Sequence, residues 1–122
     1  MADKEEIGSG PAREVKFEAA PGIRESFRAF RASHPKVAES IRIFNQYKRE
    51  IPPRPLPRHM RDHALSGRLK GIRECHLDDD VLLLYTHEND VVRMLVICSH
   101  DDIRGPRERA VSGALRRHRR RT

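Results

Sequence analysis

Three strand patterns follow one another in residues 72–98, IRECHLDDDVLLLYTHENDVVRMLVIC. Residues 72–77 alternate apolar and polar side chains, residues 81–85 are almost wholly apolar, and residues 91–98 are mostly β-branched and apolar. Such runs, bounded by polar residues, are typical of strands in a partly buried sheet. The Glu-Asn-Asp sequence at 88–90 supplies turn residues between the last two runs. The stretch therefore predicts a three-stranded antiparallel meander.

Two amphipathic helices are predicted upstream of the meander, because apolar side chains recur there every three or four residues. The first set is Ile23, Phe27 and Phe30, and the second is Val37, Ile41, Phe44, Tyr47 and Ile51. Pro35 suits the first turn of the second helix, and Pro52-Pro53 ends it. Residues 14–18 predict a short strand with one buried face, since Val15 and Phe17 alternate there with charged residues.

The resulting order, β-α-α-β-β-β, predicts an α+β domain in which a helical hairpin packs on an antiparallel sheet. Residues 14–104 hold this domain. Residues 1–13 are polar and glycine-bearing, which predicts a flexible N-terminal segment. Residues 105–122 are an arginine-rich tail. Its apolar cluster at 110–115 is spaced for a brief helix, but Gly113 and the mutual repulsion of the arginines favour disorder.

Composition and charge narrow the classes of function. No apolar run approaches the roughly 18 residues that span a bilayer, and the N-terminus lacks a signal-peptide core, which predicts a soluble cytoplasmic protein. The net charge of +7 lies wholly in residues 104–122, which hold eight arginines and one acidic residue. A second basic patch occupies residues 52–73. Clustered positive charge predicts a polyanionic partner. Cys75 and Cys98 lie in predicted strands, which favours reduced, buried thiols.

Histidines and carboxylates accompany these arginines between residues 62 and 100. Side chains that titrate near neutrality are what RNA cleavage by general acid–base chemistry needs. Within this segment, residues 62–76 read D-H-A-L-S-G-R-L-K-G-I-R-E-C-H. This run resembles the YafQ branch of the RelE/ParE bacterial toxins, small proteins that cut messenger RNA on the ribosome and that an antitoxin restrains. The resemblance covers about residues 14–104, and it implies the same β-α-α-β-β-β fold.

The resemblance also implies a catalytic set of four residues. The D-H-A-L loop matches D-H-P-L and marks His63, while R-E-C-H matches R-[DE]-x-H and marks His76. Asp80 matches the aspartate that opens the next strand, and S-H-D matches T-H-x and marks His100. In this reading His100 is the general acid, Asp80 or His76 is the base or orients it, and His63 contacts the scissile phosphate. The reaction needs no metal and no cofactor.

Three positions depart from the family pattern. A strand arginine of the family is Val96 here, a tryptophan is Val81, and an aromatic residue near the end is Arg104. By alternation along the strand, Val96, Cys98 and His100 share one face and Arg93 lies on the other. Arg104, Lys70 or Arg73 are the candidates to replace the missing positive charge.

The predicted RNA- or ribosome-binding residues are the clustered cations Arg58, Arg61, Arg68, Lys70, Arg73, Arg104, Arg116, Arg117, Arg119, Arg120 and Arg121. The implied partners are messenger RNA, the ribosome and a small acidic antitoxin in a heteromeric complex, with no membrane. Two alternatives stay open: a non-cleaving toxin of the ParE kind, which acts on DNA gyrase, and an inactive RNA- or ribosome-binding relative. A zinc site built from His63, His76, His100 and a cysteine is a weaker hypothesis, because no closely spaced ligand pair such as C-x₂-C occurs.

Overall fold

The computed structural model describes residues 13–104 and 108–121, so residues 1–12 of the predicted flexible segment lie outside it. Within these residues the chain forms five strands, four α-helices and two single-turn 3₁₀ helices. The strands are β1 Lys16–Ala19, β2 His63–Ala64, β3 Arg73–Asp78, β4 Val81–Glu88 and β5 Val91–Cys98. The helices are α1 Ile23–Ser33, α2 Val37–Lys48, α3 His100–Arg104 and α4 Glu108–Arg121, and the 3₁₀ turns are Arg58–Met60 and Gly67–Leu69.

The strands form one sheet in the order β1-β5-β4-β3-β2. The meander of β3, β4 and β5 is antiparallel, as predicted. β1 instead runs parallel to β5, with Lys16 opposite Val91, so the sheet is mixed rather than antiparallel throughout. The two helices carry the chain from β1, at one edge, to β2 at the opposite edge, and the meander then returns to place β5 beside β1. β2 was not predicted; its two residues pair with Glu74 and Arg73 of β3.

Several helices and strands begin or end at residues other than those predicted, because apolar periodicity does not locate sheet edges and turns. β1 begins two residues later than predicted, and Phe17 is 36% exposed, so the predicted buried face of this edge strand is wrong at that position. Pro35 lies in the turn before α2, and α2 ends at Lys48, before Ile51. Asn89 and Asp90 both adopt positive φ (51° and 62°), the conformation of a tight two-residue hairpin turn.

One face of the sheet, called here the hairpin face, packs against α1 and α2. The buried side chains of this first core cluster are Ile23, Val37, Phe44, Met60, Cys75, Leu77, Val81, Leu83, Tyr85, Val92 and Ile97. Phe44 of α2 meets the ring of Tyr85 edge-on, with 4.8 Å between ring centroids. This geometry is favourable for aromatic pairs and joins the helical hairpin to the middle of the sheet.

The other face, called here the C-terminal face, carries a second core cluster. Its buried members are Ile72, Leu82, Leu84, Leu95, Cys98, Val111 and Leu115. The last two belong to α4, so the prediction of a disordered tail is wrong for residues 108–121. Val111 and Leu115 are one helical turn apart and share a face. Burial of two such side chains, at about 1.5–3 kcal/mol each, outweighs the roughly 1 kcal/mol that Gly113 costs a helix.

A β-bulge changes which face the residues of β5 occupy. Leu84 pairs with Val96 and Tyr85 with Met94, so Leu95 is the extra residue. As a result, Leu95 and Val96 both pack on the C-terminal face, and simple alternation fails there. The prediction that Arg93 and Val96 lie on opposite faces is therefore wrong. Arg93 is buried and pairs with Glu18 of β1 at 3.2 Å, far from the end of the strand.

Both cysteines are free and buried, as predicted. Burial raises the pKa of Cys98 to about 12 and that of Cys75 further, so both thiols stay protonated. None of the helices in the described part of the chain is long and apolar enough to cross a membrane.

Candidate active site on the C-terminal face

His100 opens helix α3 rather than closing β5. Ser99 and Asp102 explain why the chain turns into a helix at this point. The hydroxyl of Ser99 accepts the backbone N–H of Asp102 at 3.2 Å, and the Asp102 carboxylate accepts the N–H of Ser99 at 2.8 Å. This reciprocal pair is a capping box. It fixes the start of α3 and, with it, the position of the His100 side chain.

Asp80 holds His100 from the turn between β3 and β4. One carboxylate oxygen of Asp80 lies 2.7 Å from Nδ1 of His100 and accepts the His100 backbone N–H at 3.1 Å. The side-chain hydrogen bond from His100, followed by the backbone one, lowers the pKa of Asp80. An ionised Asp80 can only accept at this contact, so it keeps a proton of His100 on Nδ1. Nε2 is then the nitrogen that can exchange a proton with a substrate.

His76 and Glu74 point to the same face of β3, since they are two residues apart on a strand. The ring of His76 meets that of His100 edge-on, with 5.6 Å between centroids. Burial is the main reason why the pKa of His76 is lowered; Glu74 raises it in part, and His100, Arg61 and His63 lower it further. His76 is therefore neutral near pH 7 and able to accept a proton.

His63 lies on β2, directly opposite Glu74 of β3. Its Nδ1 is 2.7 Å from the carbonyl oxygen of Arg61, which can only accept, so Nδ1 carries a proton. Its Nε2 lies 3.4 Å from the buried carboxylate of Glu74. The structure thus brings together the four residues expected from the sequence, His63, His76, Asp80 and His100. A fifth residue, Glu74, lies among them.

That fifth residue, Glu74, was missed in the sequence analysis. Glu74 is buried, faces His63, and belongs with His76 and His100 to a group whose ligating atoms all lie within 4.8 Å of one another. The signal was present in R-E-C-H, because alternation places the glutamate on the same face as the histidine. Two imidazoles and a carboxylate form a donor set that suits Zn²⁺ or Cu²⁺. This donor set is not the one hypothesised from the sequence, which combined three histidines with a cysteine. Both cysteines are instead buried in the core clusters.

A buried ionic network anchors the loop that leads into His63. Asp62 accepts a short hydrogen bond from the Tyr85 hydroxyl, and its carboxylate lies 3.3 Å from Arg73 and 3.4 Å from Lys48. Burial alone would raise the pKa of Asp62, but the hydrogen bonds from Tyr85 and Arg73 and the charge of Lys48 outweigh it, so the pKa is lowered. Arg73 is thereby engaged on the hairpin face, away from the histidines.

The other predicted RNA-binding cations of the described residues lie on the two 3₁₀ turns and on α4. Arg58 and Arg61 belong to the first 3₁₀ turn and its end, and both are exposed. Arg68 lies in the second 3₁₀ turn and Lys70 follows it, and Arg68 and Arg116 line the same groove of about 190 Å³. Arg116 and Arg117 are exposed on α4. The side chains of Arg104, Arg119, Arg120 and Arg121 lie outside the described residues.

Comparison with known proteins gives a consistent set of relatives. The family model described as the bacterial toxin YafQ of type II toxin–antitoxin systems matches residues 23–105. A Haemophilus influenzae protein that bears the name of toxin YafQ is 48% identical over 33 residues, which are 27% of this chain and 32% of that protein. The matched segment thus spans about a third of that curated relative.

Solved structures share the fold. In the Escherichia coli DinJ–YafQ toxin–antitoxin complex, one chain matches with a TM-score of 0.63 and 20% identity, covering 76% of this chain and 100% of that chain. A copper-bound mutant toxin from Helicobacter pylori matches with a TM-score of 0.58 and 26% identity, covering 73% of this chain and 98% of that chain. Helix α4 begins beyond the last residue that the family model matches.

Proposed function

This chain belongs to the YafQ family of toxins from bacterial type II toxin–antitoxin systems, and we propose that it is an endoribonuclease that cuts messenger RNA on the ribosome. The observation that supports this activity best is the pairing of a neutral His76 with a His100 held by an ionised Asp80. One group is set to accept a proton and the other to donate one, which is what metal-independent RNA cleavage requires. The enzyme works in the cytoplasm, where messages are translated.

The reaction follows from these positions. His76 removes the proton of the ribose 2′-hydroxyl, and the 2′-oxygen attacks the adjacent phosphorus. His100 donates its Nε2 proton to the departing 5′-oxygen as the phosphorus–oxygen bond breaks, which leaves a 2′,3′-cyclic phosphate and a 5′-hydroxyl. Asp80 orients His100 and balances its charge. Glu74 faces Nε2 of His63 at 3.4 Å and orients that ring toward the scissile phosphate.

Mapping of RNA ends on translated messages tests this proposal. We expect cuts within the codon in the ribosomal A site, and we expect His100→Ala to slow cleavage at least about a hundredfold, the usual effect of losing one acid–base group. His87→Gln is the matched control, because His87 lies near the far end of β4. Wild-type rates from a folded His100→Ala variant would remove His100 from the mechanism.

We assign a small acidic antitoxin as the partner that restrains this activity. The family is one of toxin–antitoxin pairs, and a related chain is seen in the DinJ–YafQ complex. A net charge of +7 favours an acidic partner. A neighbouring reading frame whose acidic product co-purifies with this chain and blocks cleavage supports the assignment; a product that binds without inhibition contradicts it.

A non-cleaving toxin of the ParE kind is the second candidate. The observation in its favour is Val96, an apolar residue of the second core cluster where the family places an arginine. Intact messages together with arrested DNA supercoiling by gyrase would support this alternative. Retention of the whole acid–base set argues for cleavage, since a protein that only binds its target does not need it.

The same residues support a metal-binding property that competes with catalysis. Glu74, His76 and His100 would hold a Cu²⁺ or Zn²⁺ ion, and a related Helicobacter pylori toxin is described as copper-bound. Occupied histidines cannot transfer protons, so the ion should inhibit cleavage. Titration calorimetry with ZnCl₂ and CuCl₂ should show binding that Glu74→Gln weakens. Cleavage that requires the metal, rather than being restored by a chelator, would contradict this view.

A further inference from the structure

A polar cleft of about 460 Å³ opens beside the candidate active site. It lies between the start of α2, the first 3₁₀ turn and the turn between β3 and β4. Its lining is Lys36, Ser40, His59, Arg61, His76, Leu77, Asp78, Asp79 and Asp80. His76 and Asp80 of the catalytic set thus share this cleft with Arg61, a cation that the resemblance to the toxin family does not single out.

The backbone of Arg61 is held in an unfavourable conformation. Its φ of 48° lies in the left-handed region, which non-glycine residues seldom occupy. Its N–H donates to the carbonyl of Arg58 at 3.0 Å, its own carbonyl accepts from His63 at 2.7 Å, and the next residue, Asp62, joins the buried network. Surrounding structure therefore imposes the strain, and strain of this kind is concentrated at functional sites.

The charge of the site explains what Arg61 could contribute. Glu74 and Asp80 bring two carboxylates to the histidines, so an approaching phosphate meets repulsion unless a cation offsets it. Arg73 and Lys48 are bound to Asp62 on the hairpin face. Val96, at the position of the family's arginine, packs in an apolar cluster. Among the cations of residues 13–104, Arg61 is exposed and lines the cleft with two catalytic residues.

Of the three acidic residues that line the cleft, Asp78 and Asp80 have other partners, and Asp79 is exposed in the turn between β3 and β4. Asp80 is bound to His100, and Asp78 accepts the backbone N–H groups of Lys36 and Asp79 at 3.0 and 2.7 Å. Lys36 also lines the cleft, from the turn before α2, and is the rival cation. Arg61 has the stronger position, because its carbonyl bond to His63 ties it to the catalytic residues directly.

We infer that Arg61 binds a phosphate of the RNA substrate in this cleft and supplies the positive charge that Val96 does not. The inference rests on the proposed function. A guanidinium donates two parallel hydrogen bonds to phosphate oxygens, which fixes the position of the phosphate as well as balancing its charge. The RNA strand would then enter the site past Arg61, with the phosphate beside His76.

Four variants test this role: Arg61→Gln, Arg61→Gly and Arg61→Lys, with Arg28→Gln as the control. Arg28 is an exposed cation of α1 that neither lines the cleft nor belongs to the predicted RNA-binding residues. We expect Arg61→Gln and Arg61→Gly to slow single-turnover cleavage at least about tenfold, Arg61→Lys to recover part of the loss, and Arg28→Gln to stay within about twofold. Arg61→Gly should melt no lower than wild type, because glycine adopts positive φ without strain.

Binding of an uncleavable 2′-O-methyl oligoribonucleotide separates this inference from the proposed function. We expect Arg61→Gln to weaken binding more than Arg28→Gln and to remove the oligonucleotide-induced shifts of the cleft amides in NMR spectra. Equal binding and equal cleavage by the two variants would overturn the inference, as would a larger loss with Lys36→Gln. If wild type binds the oligonucleotide through Arg61 but cleaves no message, the inference stands and the nuclease proposal fails.

Discussion

The two faces of the sheet differ in what their buried and half-buried polar groups do. On the hairpin face, the carboxylate of Asp62 binds the side chains of Tyr85, Arg73 and Lys48, so these polar groups satisfy one another. On the C-terminal face, the rings of His76 and His100 are partly exposed, and Asp80 engages Nδ1 of His100 and leaves its Nε2 toward the site. The first arrangement fixes the loop before His63, whereas the second is the one to which our proposal assigns proton transfer.

The faces also differ in the helices that cover them. Helices α1 and α2 on the hairpin face lie within the residues that the family model matches, and α4 on the C-terminal face lies beyond them. The chain thus carries, beyond the matched residues, a helix on the face that holds the candidate site. The polar network of the hairpin face should govern stability and the histidine cluster of the C-terminal face should govern activity; the following variants test this contrast, from the largest expected effect to the smallest.

Asp62→Ala should have the largest effect, and it should act on stability. The substitution leaves Arg73 and Lys48 partly buried without their carboxylate, which typically costs about 3–5 kcal/mol. Urea unfolding followed by circular dichroism measures the loss. His100→Ala is the comparison on the other face and should unfold at nearly the wild-type urea concentration. A stable Asp62→Ala variant would show that the network is dispensable and would break the contrast between the faces.

Acid titration sharpens the same prediction. Because the pKa of Asp62 is lowered in the folded protein, its ionised form stabilises the fold at pH values above the unfolded value of about 4. This contribution is lost as the pH falls through the lowered folded pKa. The difference in stability between wild type and Asp62→Asn should therefore be constant near neutrality and shrink below about pH 4. A difference that does not change with pH would assign the stability to packing.

The hairpin face was the more predictable of the two, for a physical reason. Its helices and the meander follow from periodic burial, which is a local property of the sequence. Three features of the C-terminal face depend on tertiary contacts: the bulge at Leu95, the short strand β2, and the docking of Val111 and Leu115. Motif resemblance named four site residues, but the geometry was needed to add Glu74 and to show Arg73 engaged elsewhere.

Leu115→Ala should have the next largest effect, because Leu115 is fully buried against the sheet. Loss of such a side chain costs about 2–5 kcal/mol, and we expect the lower end because Leu115 also lines the groove of about 190 Å³, into which its neighbours can relax. Arg117→Ala, two positions along α4 and exposed, is the control and should change stability by less than about 0.5 kcal/mol. Thermal melting distinguishes the two. Equal melting temperatures would mean that α4 does not hold this face together.

Truncation after Gly105 extends this test. The shorter chain loses both Val111 and Leu115 and exposes Ile72, Leu82 and Leu84, so we expect a lower melting temperature and a greater tendency to aggregate. A disordered tail would have predicted no change in melting. Unaltered stability after truncation would restore that earlier prediction.

Val96→Arg should have an intermediate effect on stability and a favourable one on activity. Val96 is half-buried and lines a groove of about 530 Å³, so an arginine can reach solvent along it at a cost of about 1–3 kcal/mol. The added charge would return a cation to the position where the family places one. Melting and single-turnover cleavage should be measured together, with Val96→Met as the uncharged control. Complete unfolding, or cleavage below that of the control, would contradict the prediction.

The smallest effect on stability, and the clearest on binding, should come from the arginines of α4. Arg116 and Arg117 are exposed on the helix whose apolar side packs on the C-terminal face, which places two cations on that side of the sheet. If each neutralises one RNA phosphate, Arg116→Gln with Arg117→Gln should lower the slope of log affinity against log salt by about 1.4 for a single strand. The melting temperature should not change, and neither should the rate at saturating RNA.

Arg24→Gln with Arg28→Gln, on exposed positions of α1, is the control on the other side of the sheet. An equal loss of slope from both pairs would mean that RNA responds to total charge rather than to the face that carries the histidines. A loss confined to α4 would mean that α4 extends the RNA-binding surface of that face.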